Sequence, residues 1–195
     1  EIDQEAKKAV EASRKIVDDI VREKRVVYGV TTGFGSLCNV SISPEDTTQL
    51  QENLIRTHAS GFGDPLPEDA VRAIMLIRIN SLVKGYSGIR LSTVEKLLEL
   101  LNKGVVPFIP EKGSLGASGD LAPLAHMVLP MLGLGHAYYQ GQLFSGQEAL
   151  DKAGIEKIAL AAKEGLALIN GTTVLTGIGA LATYDAIQLL KLSDV

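Results

Sequence analysis

Three glycines fall at every third position, Gly113, Gly116 and Gly119, enclosing an Ala117-Ser118 pair and running straight into Asp120-Leu121. Glycine adopts tight and left-handed backbone shapes that other residues resist, so the chain bends here. An Ala-Ser-Gly tripeptide held in a tight bend has a chemistry of its own. The amide nitrogen of Gly119, unshielded by a side chain, can attack the carbonyl carbon of Ala117. Loss of water from that ring and from the Ser118 side chain leaves an exocyclic methylene on a five-membered imidazolone. That group is an electrophile, which none of the twenty side chains supplies at neutral pH. By composition alone a flexible loop is the simpler reading. A hydrolase elbow, G-x-S-x-G, is excluded, because Asp120 stands where its last glycine belongs.

Two other segments stand out. Val26-Val27-Tyr28 is a β-type run entering a glycine-punctuated loop, Gly29-Val30-Thr31-Thr32-Gly33-Phe34-Gly35. Alone, such a tyrosine reads as an anchor whose ring packs and whose hydroxyl finds a partner. The other segment is Leu166-Ala167-Leu168-Ile169-Asn170-Gly171-Thr172.

These two segments and residues 113–127 (GSLGASGDLAPLAHM) resemble the aromatic amino acid ammonia-lyase and aminomutase family, and the resemblance runs through essentially the whole chain. It implies that Ala117-Ser118-Gly119 cyclises to 4-methylidene-imidazol-5-one (MIO), that Tyr28 is the catalytic base, and that Asn170 sits beside the MIO group. Gly116 and Asp120 would shape the loop; Asp120 reads first as the cap of the following helix, with a second role as proton carrier during ring closure as the alternative. Thr57-His58 aligns with the family position that reads the substrate side chain, and Gly35 belongs to the same substrate site. Histidine-selective members resemble Ser-His there, tyrosine-selective ones His-Leu, phenylalanine-selective ones Phe-Leu. Thr57-His58 is nearest the first, so the resemblance implies conversion of L-histidine to urocanate and ammonia. Without it, His58 is an ordinary helix-face residue. Thr31 departs from the pattern: histidine-selective members carry Asn there, whereas Thr-Thr is typical of phenylalanine and tyrosine lyases and of aminomutases. Those activities are the alternatives within the family. An uncyclised, non-catalytic helical scaffold is the alternative outside it. No external cofactor is implied, and neither H-E-x-x-H nor Cys/His ligand spacing occurs, so no metal site is expected. The resemblance also implies a homotetramer with sites built from several chains.

The 195 residues are 46% hydrophobic and 22% charged, which is ordinary globular composition. A net charge of −4 gives no basic footprint for nucleic acid or an anionic membrane. One cysteine, Cys38, rules out an internal disulfide, and with no secretory signal visible a reducing cytoplasm fits. The apolar stretches 121–135 and 174–192 are interrupted by His126 and Pro130 or by Asp185, and neither reads as a membrane span.

Helical spacing runs from the first residues through Ile2, Ala6, Ala9, Ser13, Ile16 and Ile20. Further helices are expected at 43–59 behind Ser43-Pro44, at 67–84 closed by Gly85, and at 92–104 behind a Ser92–Glu95 capping box. Others follow at 120–132 with Asp120 as N-cap and Pro130 as kink, from Ser145 to Ala153, at 155–168 and at 174–192. Residues 138–144 read as a hairpin. His126 should pack inside with its ring hydrogen-bonded, and His136 should be structural or exposed. The class is mainly α with a few short strands: an MIO-loop domain to about residue 170 and the start of a long-helix bundle over 171–195. Both ends lie inside apolar or helical patterns, as expected of the N-terminal part, 1–195, of a longer lyase.

Overall fold

Helices dominate the computed structural model, which describes residues 1–33, 42, 44–115 and 119–193. They are α1 (Gln4–Arg22), α2 (Pro44–His58), α3 (Glu68–Leu82), α4 (Leu91–Lys103), α5 (Leu121–Val128), α6 (Gly146–Ala153), α7 (Glu164–Ile169) and α8 (Thr173–Ser193). The strands are short: β1 (Phe62–Pro65), β2 (Val106–Pro107), β3 (Pro110–Lys112), β4 (His136–Tyr139) and β5 (Gln142–Ser145). The class is therefore mainly α, as expected. β1 pairs antiparallel with β3, Phe62 opposite Lys112, so the strand after α2 lies beside the strand that leads into the glycine bend. A second sheet runs β2-β4-β5, and the β4–β5 turn places Gln140 and Gly141 at φ 51° and 77°, the paired positive angles of a tight hairpin.

The core is built on α3, whose Val71, Ile74, Met75, Ile79 and Leu82 recur at helical spacing and are buried. They meet Val94, Leu97 and Leu100 of α4 and Leu124, Met127 and Val128 of α5. Each such side chain contributes roughly 1.5–3 kcal/mol by leaving water. The first turns of α8 close on α3 at Gly177, where a Cβ would stand 3.0 Å from Ile74 Cγ1. Pro130 ends α5 as expected, and the chain continues as a 3-10 turn from Leu129 to Leu132. Ser145 and Glu148 form the capping box of α6, and Gly104 and Gly154 close α4 and α6 in the left-handed region.

Five local expectations are corrected. α1 starts only after Asp3, whose carboxylate accepts from Glu5 N (2.8 Å), and its buried residues are Val10 and Val17, with Ile16 facing solvent. Residues 26–28 form no strand. Val30 N–H and Thr31 N–H both donate to Val27 O, closing a turn whose Val27 and Val30 dock on Val17 and Ala162. The Ser92–Glu95 box does not form, because α4 begins at Leu91 and the Thr93 hydroxyl donates instead to Glu164 (2.8 Å). The Glu164 carboxylate is fully buried and also takes Arg90 N, Nε and Nη2 and Ala161 N. A buried charge needs those donors, and they override a local cap. For the same reason 155–163 is not helical: Ile158 N–H donates to Met131 O, Ala159 O accepts from Arg90, and Lys163 turns left-handed before α7. Finally, the apolar run is longer than the expected 174–192: it extends back through α7, and 164–193 is long and apolar enough to cross a membrane by length and composition alone, with α8 packing on α3.

Candidate functional site

The site is assembled where three helix ends meet their loops: the N-terminus of α5, the turn between α7 and α8, and the C-terminus of α2. Gly119 and Asp120 are buried at the first of these. Asp120 N–H donates to Gly171 O at 2.8 Å. Its carboxylate accepts from the Ser114 hydroxyl (2.9 Å) through Oδ1 and from Val174 N and Leu175 N (both 3.0 Å) through Oδ2. Asp120 occupies the N-cap position of α5 yet makes no side-chain cap there. It caps α8, a correction to the sequence expectation. Free N–H groups and the positive end of the helix dipole explain the preference for a carboxylate at this point.

Gly119 faces the α7–α8 turn. A Cβ on it would lie 2.8 Å from Gly171 N and 2.9 Å from Asn170 Oδ1. Packing alone therefore demands glycine at 119 and sets the Asn170 carboxamide against it. Behind the turn lies Arg78 of α3, whose Nη2 donates to Ala167 O and to Asn170 O (3.0 Å). Sequence reading passed over Arg78 and Ser114. A lone arginine within an apolar stripe, and a serine six residues before an aspartate, carry no signal until the fold joins them to the site.

At the end of α2, His58 is half-buried and its Nδ1 lies 2.8 Å from Leu54 O. A carbonyl only accepts, so Nδ1 carries the proton and Nε2 of the neutral ring is left as an acceptor. The neighbouring Thr57 hydroxyl donates back to Asn53 O and Leu54 O. The turn beyond is held by Gly61 N–H donating to His126 Nε2 at 3.0 Å. Burial holds His126 below the usual histidine range, in keeping with that acceptor role. His126 thus packs with its ring hydrogen-bonded, and His136 is exposed at the start of β4, both as expected. Gly113, at φ 141°, presses on this turn: a Cβ there would stand 2.8 Å from Gly61 Cα. The glycine bend and the His58 turn are therefore in direct contact.

Tyr28 stands on the separate loop packed against α1 and is 60% exposed. The two threonines of that loop brace its own backbone: Thr31 Oγ1 donates to Arg25 O and accepts from Val27 N, and buried Thr32 Oγ1 accepts from Gly29 N. The structure thus gathers Gly119, Asp120 and Asn170 at one point and ties Thr57-His58 to the same bend through Gly61 and Gly113. Gly35, Gly116, Ala117 and Ser118 lie outside the described residues. Among the described residues no three His, Cys, Asp or Glu side chains cluster as a metal site would require.

This geometry has close relatives. The profile of the aromatic amino acid lyase family matches residues 1–195. The chain is 97% identical over 195 residues to a histidine ammonia-lyase of Streptococcus sanguinis and 91% identical over 194 residues to one of Streptococcus pyogenes. It is covered entirely in both alignments but spans only 38% of either relative. Among solved structures it superposes on histidine ammonia-lyase from Trypanosoma cruzi with a TM-score of 0.92 at 43% identity, covering 100% of this chain and 37% of that one. Against phenylalanine aminomutase from Pantoea agglomerans the TM-score is 0.88 at 44% identity, covering 95% of this chain and 36% of that one.

Proposed function

Because the chain belongs to the aromatic amino acid lyase family, we propose that the full-length protein eliminates ammonia from L-histidine to give urocanate. The observation that carries the reading is Gly119, packed without room for a Cβ and facing the Asn170 carboxamide. Ring closure through residue 119 needs an unshielded amide, and that is what the packing preserves, so the residues present fit an MIO group formed from Ala117-Ser118-Gly119. That group supplies an electrophile for a substrate whose amine is a poor leaving group and whose β-proton is barely acidic.

The remaining work falls to ordinary side chains. The Tyr28 phenolic oxygen takes the β-proton. Asn170 holds the ring oxygen or the substrate by hydrogen bonds from its carboxamide. His58 Nε2 accepts the substrate imidazole N–H, and its Nδ1 bond to Leu54 O fixes the ring for that purpose. The Thr31 departure is compatible with histidine, since its hydroxyl is engaged with its own loop. The 91–97% identity to histidine ammonia-lyases supports the same substrate. We further take residues to about 170 as the MIO domain, 171–195 as the start of a long-helix bundle, and the assembled protein as a cytoplasmic homotetramer.

The test is product analysis on the full-length protein with each aromatic amino acid. Urocanate and ammonia from histidine are expected, with a protein mass two waters below that of the sequence. An unchanged mass without turnover supports a scaffold, and a β-amino acid product supports an aminomutase. His58→Leu should lower the histidine-to-phenylalanine ratio of kcat/KM by about tenfold to a hundredfold, the usual effect of leaving one buried polar group unpaired. An unchanged ratio removes His58 from substrate selection.

A further inference from the structure

Arg78 sits where an apolar residue belongs. It lies on the buried stripe of α3 between Ile74, Met75 and Ile79, and it is 3% exposed. No carboxylate answers it: none of the ion pairs among the described residues includes Arg78, and its Nε has no hydrogen-bond partner there. Isolated buried charge is costly, and a core position of this kind is normally filled by a hydrocarbon. Burial lowers its pKa only to about 10, so the guanidinium is charged at neutral pH.

Its placement relative to the bend gives the cost a purpose. Nη2 holds Ala167 O and Asn170 O, the last carbonyls of α7. Nη1 lies so close behind Gly171 that any Cβ on residue 171 would collide with it. The same turn is met by Gly119, where a Cβ would press on Gly171 N and Asn170 Oδ1, and by Asp120, whose N–H donates to Gly171 O at 2.8 Å. The Asn170-Gly171 turn is thus touched both by a buried cation and by the residue that closes the electrophilic ring. A fixed positive charge in a dry site favours electron density moving toward it and needs no reorganisation as it does so.

We propose that Arg78 is a positioning residue that also acts electrostatically. It presents Asn170 to Gly119 and supplies the positive field that stabilises electrons drawn into the ring formed there. This rests on the lyase reading above. Gly171 is glycine because the guanidinium must approach that closely.

The test uses the full-length enzyme with Arg78→Met, Arg78→Gln and Arg78→Lys, reading steady-state kinetics, melting temperature and the near-UV absorption band of the ring. Without the charge, kcat should fall about tenfold to a hundredfold, somewhat less than the loss of a donor in direct contact. KM should change far less, and the near-UV band should move in wavelength. Arg78→Lys, which keeps the charge, should be several-fold more active than either neutral variant and keep the wild-type band. Arg78→Met and Arg78→Gln back each other up if one fails to fold. Neutral variants with wild-type kcat and an unmoved band overturn the proposal, as does a lysine variant no better than glutamine. Absence of the band and of turnover in the wild type would overturn the lyase reading itself.

Discussion

The His126 imidazole accepts the Gly61 N–H through Nε2 only while that nitrogen is unprotonated, so the turn carrying His58 is tied to a titrating group. Burial lowers its pKa below 6.5 in the fold. Between the folded and unfolded values the unfolded chain binds more protons, so stability rises with pH across that window. The contribution is complete above about pH 6.5 and is lost as pH falls through the lower, folded value. Melting temperature should therefore decline on acidification below that point. The decline should be shallower in His126→Gln, whose amide oxygen accepts at any pH; parallel curves for the two proteins would show that His126 is not the sensor. Sequence made this residue legible as a packed, hydrogen-bonded histidine, because an imidazole inside an apolar helix must find a partner. Its partner, a backbone N–H 65 positions away, had no signature. Gly119 and Asn170 were singled out for a different reason, the motifs they lie in, and the fold packs the two together. Arg78 was not, since its meaning lies in the carbonyls it touches.

Helix ends show the same division. Ser145 and Glu148 are neighbours on an exposed turn, nothing competes for them, and the capping box seen in the sequence forms. Ser92-Thr93-Val94-Glu95 carries the same pattern, but the Thr93 hydroxyl goes to buried Glu164, a contact spanning 71 positions. Local rules hold where no buried charge overrides them. Asp120 is the instructive mixture, an N-cap residue by position whose carboxylate caps a different helix, 54 positions on. The start of α8 thereby becomes dependent on the loop that carries Gly119. Replacing Asp120 with alanine strips acceptors from Val174 N, Leu175 N and the Ser114 hydroxyl, and should cost about 1–3 kcal/mol. Asp120→Asn keeps one carbonyl acceptor and should cost less. The check is the denaturant midpoint at constant slope, with hydrogen exchange at the first turn of α8 rising in both variants. Wild-type protection at Val174 and Leu175 in Asp120→Ala would refute the cap.

On the scale of the molecule, α8 is half committed. Its first turns are buried against α3 through Val174 and Gly177, whereas Leu175, Tyr184, Ile187, Leu189, Leu190 and Leu192 face outward. A row of large apolar side chains on one long helix is more than a soluble surface usually leaves bare. The curated relatives are longer, this chain spanning 38% of them, so the remainder of such a protein is available to cover the row. Sequence announced this helix through its largely apolar run, interrupted only by a few polar residues such as Asp185, but periodicity could not say which of its turns would find partners within 195 residues. Expressed alone, the 195-residue chain should cover the row by self-association, and on the lyase reading it should not deaminate histidine, because it spans only 38% of the histidine ammonia-lyases it matches. Polar replacement at Leu189 and Leu192 should shift the isolated chain toward monomer without lowering its stability by more than about 0.5 kcal/mol, as befits exposed positions. Sedimentation at several concentrations reads the first outcome and ammonia release the second. A wild-type chain that stays monomeric at high concentration, or that turns over histidine at the full-length rate, would show that the outward row of α8 needs no partner.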